Sequence, residues 1–472
     1  MKKFNFVTFI ILLTLVLIMN TNVFANVIDS VIDIDNTHQT ITGFGGSFAW
    51  WSDWLPEHKH SQEIYDLLFK DAGLSIVRLK NTYRYDLRFN PSSDLAIYEE
   101  AKRQAAERGE EIKVLMSSWS PASYLKSNNS IVGSDMATLK KDSDGNFMYK
   151  EFGEYWYELI KEYRDYGISI DYISIQNEPD WEVDYDGSLF EPRETENIAG
   201  YDQAFNAVYE EIQNLDNPPK MLGPESLSID ANRISRYVDA ILEKNPESLY
   251  GIAHHLYQGG DVTNPDGLFR LNMERLNERY PDIPQWQTEY YEGTGLQTAW
   301  LIHNSLTVQD VEAYLHWDLV WTLPGSFIGL ENPYLPSSWK YDRGYIVHER
   351  YYALKHFSKF IRPGYERVDV SFPSTRNNRI KVSAFASPDK DELVIVLINT
   401  GLSEESVKLD IGDFKIDNSE IYFSDARPIL DGEDGRIADI SNMFIDKGSL
   451  SSDNIVTMPM YSIKTIYISA NN

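Results

Sequence analysis

Eight apolar runs of strand length recur over residues 41–360, and an amphipathic stretch follows each of them. The runs are Ile41–Gly46, Ser75–Lys80, Ile112–Trp119, Ile170–Pro179, Lys220–Ser226, Gly251–Gln258, Pro284–Tyr291 and Ala313–Trp321. The helical patterns are His58–Ala72, Leu95–Gly109, Tyr149–Gly167, Glu194–Leu215, Ala231–Lys244, Asp266–Tyr280, Gly295–Thr307 and His348–Phe360. Alternation of apolar strands with helices is typical of a parallel sheet covered on both faces. Eight such repeats predict a closed (β/α)8 barrel over residues 40–362, a fold of the α/β class.

A doubly wound open sheet is the competing architecture. Its phosphate-binding fingerprint is missing, because Gly43-Phe44-Gly45-Gly46 does not fit the G-x-G-x-x-G pattern with a nearby ribose-binding carboxylate. These glycines instead indicate a tight turn or a close approach of two backbones.

The pattern changes after Pro363, where strand-like runs follow one another without helices. The runs are Arg379–Ala386, Glu392–Thr400, Ser406–Ile411, Glu420–Phe423 and Tyr461–Ile468. They predict an all-β side domain, a β-sandwich. Val27–Asp35 also reads as a strand, so the predicted side domain comprises residues 26–39 and 363–472 and takes an N-terminal strand. No long Ser/Pro linker separates it from the barrel.

Residues 1–25 predict a secreted protein. Lys2 and Lys3 precede an apolar run from Phe4 to Met19, and Val23-Phe24-Ala25 resembles a cleavage site, which together indicate a signal peptide. A membrane anchor is the alternative, but the apolar run is short for one. The chain has no cysteine, which excludes disulfides, thiol catalysis and zinc–thiolate sites. The net charge of -29 makes nucleic acid and anionic membranes poor partners, and we expect a soluble monomer after cleavage.

Two glutamates stand where predicted strands run out. Glu178 ends the run Ile-Asp-Tyr-Ile-Ser-Ile-Gln-Asn-Glu, and Glu289 ends Pro-Gln-Trp-Gln-Thr-Glu. A carboxylate at the end of a buried strand is costly to desolvate unless it is used or paired. Among 72 acidic residues such placement can arise by chance, but two at the catalytic end of one barrel match a retaining glycosidase, which needs an acid/base and a nucleophile.

Other polar and aromatic residues share these predicted strand ends. They are Trp50, Trp51, Arg78, Trp119, Asn177, His255, Tyr257, Tyr291 and Trp317. Because side chains alternate along a strand, Glu289 and Tyr291 share a face, as do His255 and Tyr257. Arg78 and Tyr257 are the candidates to keep Glu289 charged, which would in turn raise the pKa of Glu178. A lone tryptophan is more often a core residue than a sugar platform, and His255 suits a structural hydrogen bond as well as a substrate contact.

These residues lie in segments that resemble glycoside hydrolase family 30. The segments are GFGGSFAW (43–50), SSWSPASYLK (117–126), DYISIQNEP (171–179), HLYQGG (255–260), QTEYYEG (287–293) and HFSKFIRPGYERV (356–368). The resemblance implies Glu178 as acid/base and Glu289 as nucleophile. It also implies that Asn177 contacts the sugar 2-hydroxyl and that Trp119 and Tyr257 line the same subsite. Within the family the chain resembles the bacterial xylanases, because the predicted side domain and the HFSKFIRPG segment suit that branch best.

The resulting prediction is a secreted retaining β-glycosidase that hydrolyses β-1,4-xylan, with endo action or release of xylobiose. Its predicted substrate-binding residues are Asn177, Trp119, Tyr257, His255, Tyr291, Trp317, Trp51 and Arg78, and no metal or cofactor is expected. Glucuronoxylan-specific members carry an arginine after strand eight, whereas here no arginine follows Leu319 until Arg343. We therefore expect no dependence on glucuronate branches. The alternatives are a β-1,6-glucanase, a glucosylceramidase-like enzyme, or a carbohydrate-binding protein without catalysis.

Overall fold

The described residues form a closed barrel, a nine-stranded sheet and a small three-stranded sheet. The computed structural model describes residues 27–84, 89–322, 326–372, 379–427 and 440–470. The predicted signal peptide, residues 1–25, lies outside this range. Within it, no helix combines the length and apolar character needed to span a membrane.

The chain enters through β1 (Val27–Thr40), which belongs to the nine-stranded sheet, and then builds the barrel. The parallel barrel strands are β2 (Gly43–Ser47), β3 (Ile76–Lys80), β4 (Lys113–Ser117), β5 (Tyr172–Ser174), β6 (Lys220–Ser228), β7 (Gly251–Gln258), β8 (Gln285–Glu289) and β9 (Ala313–His316). The α-helices are α1 (Trp54–Glu57), α2 (Ser61–Tyr65), α3 (Ser92–Glu107), α4 (Tyr149–Asp165), α5 (Tyr201–Ile212), α6 (Ala231–Lys244), α7 (Leu268–Arg279), α8 (Gly295–Thr307) and α9 (Glu349–Ser358). The predicted barrel is thereby confirmed.

Close backbone packing closes the barrel at β2. A Cβ atom on Gly45 would lie 1.9 Å from the carbonyl oxygen of Ile76, and one on Gly46 would lie 2.6 Å from that of His316. Only glycine fits these positions, which confirms the close-approach reading. The interior is filled by one buried layer from the other strands, in which the Tyr172 and Trp286 rings lie 4.5 Å apart.

Two predicted elements are divided in the structure. The eighth run, Ala313–Trp321, is interrupted after His316 because the backbone N–H of Trp317 donates to the Tyr290 carbonyl. Its end forms β10 (Val320–Thr322), which joins β11 (Ile328–Leu330) and β12 (Tyr345–Val347) in a small separate sheet. The first helical pattern, His58–Ala72, divides into α2 and a π-helical turn, Asp66–Asp71.

The side domain is one curled sheet of nine strands. Besides β1 they are β13 (Glu366–Ser371), β14 (Ile380–Ala386), β15 (Glu392–Asn399), β16 (Glu405–Asp410), β17 (Asn418–Asp425), β18 (Ile445–Asp446), β19 (Ile455–Met458) and β20 (Ser462–Ser469). Their order is β18-β17-β20-β15-β14-β13-β1-β16-β19. β1 pairs antiparallel with β13 and parallel with β16, so the N-terminal strand joins the C-terminal sheet as predicted.

The two faces of this sheet bury different surfaces because side chains alternate along its strands. On β15, Leu393, Ile395 and Leu397 lie in a core internal to the side domain. Val394 and Val396 belong to the same buried cluster as the barrel helices. The barrel and the sheet therefore share one apolar core.

Buried polar contacts cross the same boundary. His356 on α9 lies 2.8 Å from the Thr465 hydroxyl through Nδ1 and 2.7 Å from the Ser424 hydroxyl through Nε2. Arg367 donates to Asp310 at 2.8 Å. These contacts fix α9 and the end of α8 against the sheet.

Removal of the side domain should therefore unfold the barrel. We expect a chain of residues 40–363 to be insoluble or unstable, because it would expose the apolar face of the barrel that the sheet covers. Val396→Asp in the full chain should be strongly destabilising, by about 3–5 kcal/mol, since it buries an unpaired charge. Leu402→Asp, at a position 69% exposed, is the matched control. Thermal unfolding and solubility measure both, and a soluble, active 40–363 chain would contradict the shared core.

Candidate active site

Three glutamates converge at the carboxyl ends of the barrel strands. Glu178 follows β5 with a positive φ of 48°, and Glu225 lies within β6 with a φ of 61°. Glu289 is the last residue of β8. The strand pairing is irregular beside both Glu225 and Glu289: the register shifts between Pro224 and Ser226 and between His254 and His255.

These irregularities aim the carboxylates inward. Trp286 lies in the barrel interior, so strict alternation would direct Thr288 inward and Glu289 outward. The extra residue opposite His255 reverses this order, since β-bulges commonly re-aim a side chain beside an active site. One carboxylate oxygen each of Glu178 and Glu289 and one ring nitrogen of His255 consequently lie within 4.8 Å of one another.

Arg78 on β3 connects this group. Its Nη1 donates to Oε2 of Glu289 at 2.6 Å, and its Nη2 donates to Oδ1 of Asn177 at 2.7 Å. Nη2 also lies 3.1 Å from Oε1 of Glu225, and Nε donates to the Ser117 hydroxyl at 3.0 Å. Arg78 has no exposed surface. A guanidinium so deeply buried is stable only with such partners, and it holds Glu225 and Glu289 in place.

His255 on β7 links the same carboxylates from the other side. Its Nδ1 lies 2.9 Å from Oε1 of Glu178, and its Nε2 lies 3.7 Å from Glu289 and 3.9 Å from Glu225. Burial alone would lower the pKa of His255, but the surrounding negative charge of Glu289, Glu178 and Glu225 outweighs it and raises the pKa to about 10. The ring is therefore a cation at neutral pH and donates to Glu178.

The three glutamates differ in their electrostatic surroundings. Burial raises the pKa of Glu178, and the nearby Glu289 raises it further, although His255 opposes the shift. Burial would also raise the pKa of Glu225, but the Arg78 guanidinium and His255 outweigh it and lower the pKa to about 2. When Glu178 is protonated, the negative charges of Glu225 and Glu289 balance the positive charges of Arg78 and His255. The arrangement favours Glu178 as the proton donor.

A cavity of about 510 Å³ opens above Glu178 and Glu289. Twelve of the described residues line it: Trp50, Trp119, Asn177, Glu178, Trp181, Tyr185, Leu227, Tyr257, Glu289, Tyr291, Trp317 and Trp321. Eight of these carry aromatic rings, which suits the apolar faces of sugar rings. Asn177 accepts from Arg78 through Oδ1. Its amide NH2 donates to no acceptor among the described residues, so it can donate to a bound hydroxyl.

Two loops joined by hydrogen bonds fix one wall of the cavity. The backbone N–H of Gly133 donates to the carbonyl oxygen of Tyr185 at 2.7 Å, and the backbone N–H of Leu189 donates to the carbonyl oxygen of Ala137 at 2.8 Å. The buried Lys126 amine donates to the carbonyls of Val132 and Gly187. Tyr185 is thereby held beside Trp50, with 6.5 Å between the ring centroids.

The structure places five of the predicted substrate-binding residues in the cavity lining: Asn177, Trp119, Tyr257, Tyr291 and Trp317. The prediction that Arg78 and His255 contact substrate needs correction, because both are fully buried beneath the cavity floor by their carboxylate partners. Trp51 also does not line the cavity. Its backbone adopts a φ of 58° and its ring packs 4.6 Å from Trp54, so Trp50 takes the inward position.

Sequence reasoning missed Glu225 and several wall residues. Glu225 lies inside the apolar run Lys220–Ser226, and an acidic residue within a buried strand was a signal that it needed a cation. Trp181 and Tyr185 come from a loop, Leu227 lies near the end of β6, and Trp321 lies on β10. The periodicity of the sequence does not mark the direction of these side chains.

Glu178, His255 and Glu289 have the spacing of a metal-binding trio. Their chemistry suits proton transfer better. Oε2 of Glu289 already accepts from Arg78 at 2.6 Å, and a protonated His255 has no lone pair for a metal ion.

Comparison with known proteins agrees with this geometry. Residues 91–301 match the model described as "Glycosyl hydrolase family 30 TIM-barrel domain". The chain carries a glycosyl hydrolase family 30 domain. Membership of this family supports a glycosidase.

The relatives that this chain matches differ in the substrates that their names give. "Putative glucosylceramidase 1" of Caenorhabditis elegans is 24% identical over 423 residues, which cover 78% of this chain and 76% of the relative. "Glucuronoxylanase XynC" of Bacillus subtilis (strain 168) is 25% identical over 399 residues, 80% of each chain. Fungal endo-1,6-beta-D-glucanases are 24% identical.

A solved structure shares the fold. The family 30 subfamily 8 xylanase Xyn30A from Clostridium acetobutylicum matches with a TM-score of 0.68 and 24% identity. The match covers 94% of this chain and all of the other.

Glu225 should set the charge of His255. Replacement of Glu225 by glutamine removes one of the carboxylates that raise the pKa of His255, so that pKa should fall from its value of about 10. We expect activity to fall by roughly tenfold or more, because Arg78 also loses a partner that orients it toward Glu289. NMR titration of the imidazole nitrogens measures the first effect.

Glu312→Gln provides the matched control for Glu225→Gln. Glu312 is a partly buried glutamate that accepts from Thr42 just before β9, at the opposite end of the barrel. The Glu312→Gln variant should leave the pKa of His255 unchanged. An unchanged titration in Glu225→Gln would contradict the network described above.

Proposed function

We propose that this protein is a secreted retaining β-glycosidase that hydrolyses β-1,4-xylan by double displacement. The observation that carries the mechanism is the short separation of Glu178 and Glu289, one oxygen of each lying within 4.8 Å of the other. Retaining pairs lie about 5–5.5 Å apart, whereas inverting pairs need about 6.5–9.5 Å to admit a water.

The two half-reactions assign distinct tasks to the pair. Glu289 attacks the anomeric carbon while Glu178 gives its proton to the departing glycosidic oxygen, which leaves a glycosyl ester on Glu289. Glu178, now a carboxylate, takes a proton from water as that water attacks the same carbon and frees Glu289. The raised pKa of Glu178 suits the first task, and the His255 cation stabilises its charged form for the second.

The cavity lining supports a sugar without a hydroxymethyl group. Apart from tyrosine hydroxyls and tryptophan N–H groups, its polar side chains are Asn177, Glu178 and Glu289, and all three belong to the reaction centre. A hexose would place its extra hydroxyl among aromatic walls with few partners. Xylose has no such group. A β-1,6-glucanase or a glucosylceramidase-like enzyme is the second candidate. Relatives with those names are about as similar to this chain in sequence as the glucuronoxylanase is.

Substitution of the two glutamates should separate their tasks. Glu289→Gln should abolish hydrolysis of every substrate. Glu178→Gln should spare the first step on aryl glycosides with good leaving groups, since these need no acid, but should stop hydrolysis of xylan. Burst kinetics on an aryl xyloside compared with reducing-sugar release from xylan measures the difference. Equal loss on both substrates would argue against Glu178 as the acid.

Glucuronate branches should not be needed for cleavage. None of the twelve residues that line the cavity is a cation, and Trp321 lies near the place where the resemblance puts an arginine. Arg343 is bound to Glu63 at 3.0 Å, away from the lining. Linear xylooligosaccharides should be cleaved as readily as glucuronate-bearing ones, with products of no fixed distance from a branch. A large rate loss on removal of the glucuronates would contradict this.

A panel of xylan, β-1,6-glucan, other β-glucans and aryl glycosides tests the substrate assignment. Release of xylooligosaccharides is the expected result. Preferential cleavage of β-1,6-glucan or of a glucosyl lipid would replace xylan by the second candidate. Binding without any turnover would indicate the carbohydrate-binding alternative.

A further inference from the structure

A continuous path of tryptophan rings leads from the catalytic centre to the surface. Trp119 beside Arg78 is 5.6 Å from Trp317, which is 5.9 Å from Trp321. Trp321 is 6.3 Å from Trp51, and Trp51 is 4.6 Å from Trp54. The path begins in the cavity lining and ends outside it.

The outer end of this path is exposed and strained. Trp51 has 40% of its surface exposed and a φ of 58°. A positive φ is an outlier for a bulky residue, and such strain persists chiefly at functional sites. A large exposed aromatic side chain also forgoes the gain from burial. The fold draws little benefit from this conformation, so a ligand is its best physical reason.

The charges beside the path favour a neutral ligand. Asp53 and Glu57 flank Trp54 in the sequence and are both exposed. Carboxylates accept hydrogen bonds from sugar hydroxyls but repel an anionic branch.

We propose that Trp51, Trp54 and Trp321, here called the tryptophan strip, form an additional sugar-binding subsite beyond the catalytic cavity. Its occupant is a neutral, unbranched stretch of the same polysaccharide chain whose bond is cleaved between Glu178 and Glu289. The continuity of rings from Trp317 through Trp321 to Trp51 identifies this occupant. The proposal rests on the proposed function, in that the cavity binds a polysaccharide. It adds that long chains gain affinity from the strip and short ones do not.

The length dependence of cleavage tests the strip. We compare kcat/KM for a ladder of linear xylooligosaccharides in wild type, Trp51→Ala and Trp54→Ala. The ratio of long-chain to short-chain kcat/KM should fall at least about fivefold in Trp51→Ala, equivalent to the loss of one significant contact. Trp51→Phe should recover most of that ratio, because it keeps an aromatic face.

A remote exposed aromatic residue supplies the control. Tyr166 is 41% exposed and packs at the end of α4 against Phe89. Tyr166→Ala should leave the ratio unchanged. An equal fall at all chain lengths in Trp51→Ala, with a lower Tm, would mean that Trp51 only supports the fold and would overturn the proposal.

Binding separates failure of the strip from failure of the substrate assignment. Glu289→Gln and the double variant with Trp51→Ala are titrated with linear xylan, β-1,6-glucan and β-1,4-glucan. If another polysaccharide binds in place of xylan, the substrate assignment fails, and the strip stands if Trp51→Ala weakens that binding. If xylan is the preferred polysaccharide and the double variant binds it as tightly as Glu289→Gln does, the strip is overturned while the substrate assignment survives. If none of the three binds, both are overturned.

Discussion

The buried guanidinium of Arg78 is the interaction on which the catalytic end of the barrel depends. A cation without exposed surface costs several kcal/mol in lost hydration, and only well-placed partners offset this. Arg78 has four such partners, which come from several strands of the barrel: Ser117, Asn177, Glu225 and Glu289. One side chain thus sets the positions of Glu289, of the Asn177 amide and of Glu225. His255 completes the charge balance and couples it to Glu178.

Departures from regular strand geometry place the three carboxylates. Regular parallel strands would alternate their side chains, and the inward positions on β8 would then exclude Glu289. Register shifts on β6 and beside β7 and β8, together with positive φ at Glu178 and Glu225, direct the carboxylates to one point. The regular lower part of the barrel, with its Tyr172 and Trp286 layer and its glycine contacts on β2, provides the rigid support that such strain requires. The side sheet extends that support through the core it shares with the barrel helices.

The fold follows from sequence because its signals are local and repeated. Apolar runs of strand length and their intervening helices predict all eight barrel strands, and the strand-like Val27–Asp35 predicts β1 in the C-terminal sheet. The strands β18 and β19 escape because they are only two and four residues long, and β13 escapes because only two of its residues are apolar. At the site, position along a strand identifies Glu178 and Glu289, but direction depends on bulges that periodicity does not reveal. Arg78 and His255 are therefore predicted near the reaction but not beneath it, Trp51 is predicted in the cavity instead of outside it, and Glu225 is missed.

The central claim is that Glu289 forms a covalent bond to the sugar while Glu178 moves the proton. Incubation with a 2-deoxy-2-fluoro-xyloside that bears a good leaving group, followed by proteolysis and mass spectrometry, tests it directly, because the fluorine slows release of the intermediate. The account predicts one fluoroxylosyl adduct, on Glu289 in the peptide that contains Gln287-Thr288-Glu289. An adduct on Glu178 or Glu225, or turnover of xylan with inverted anomeric configuration, would contradict it.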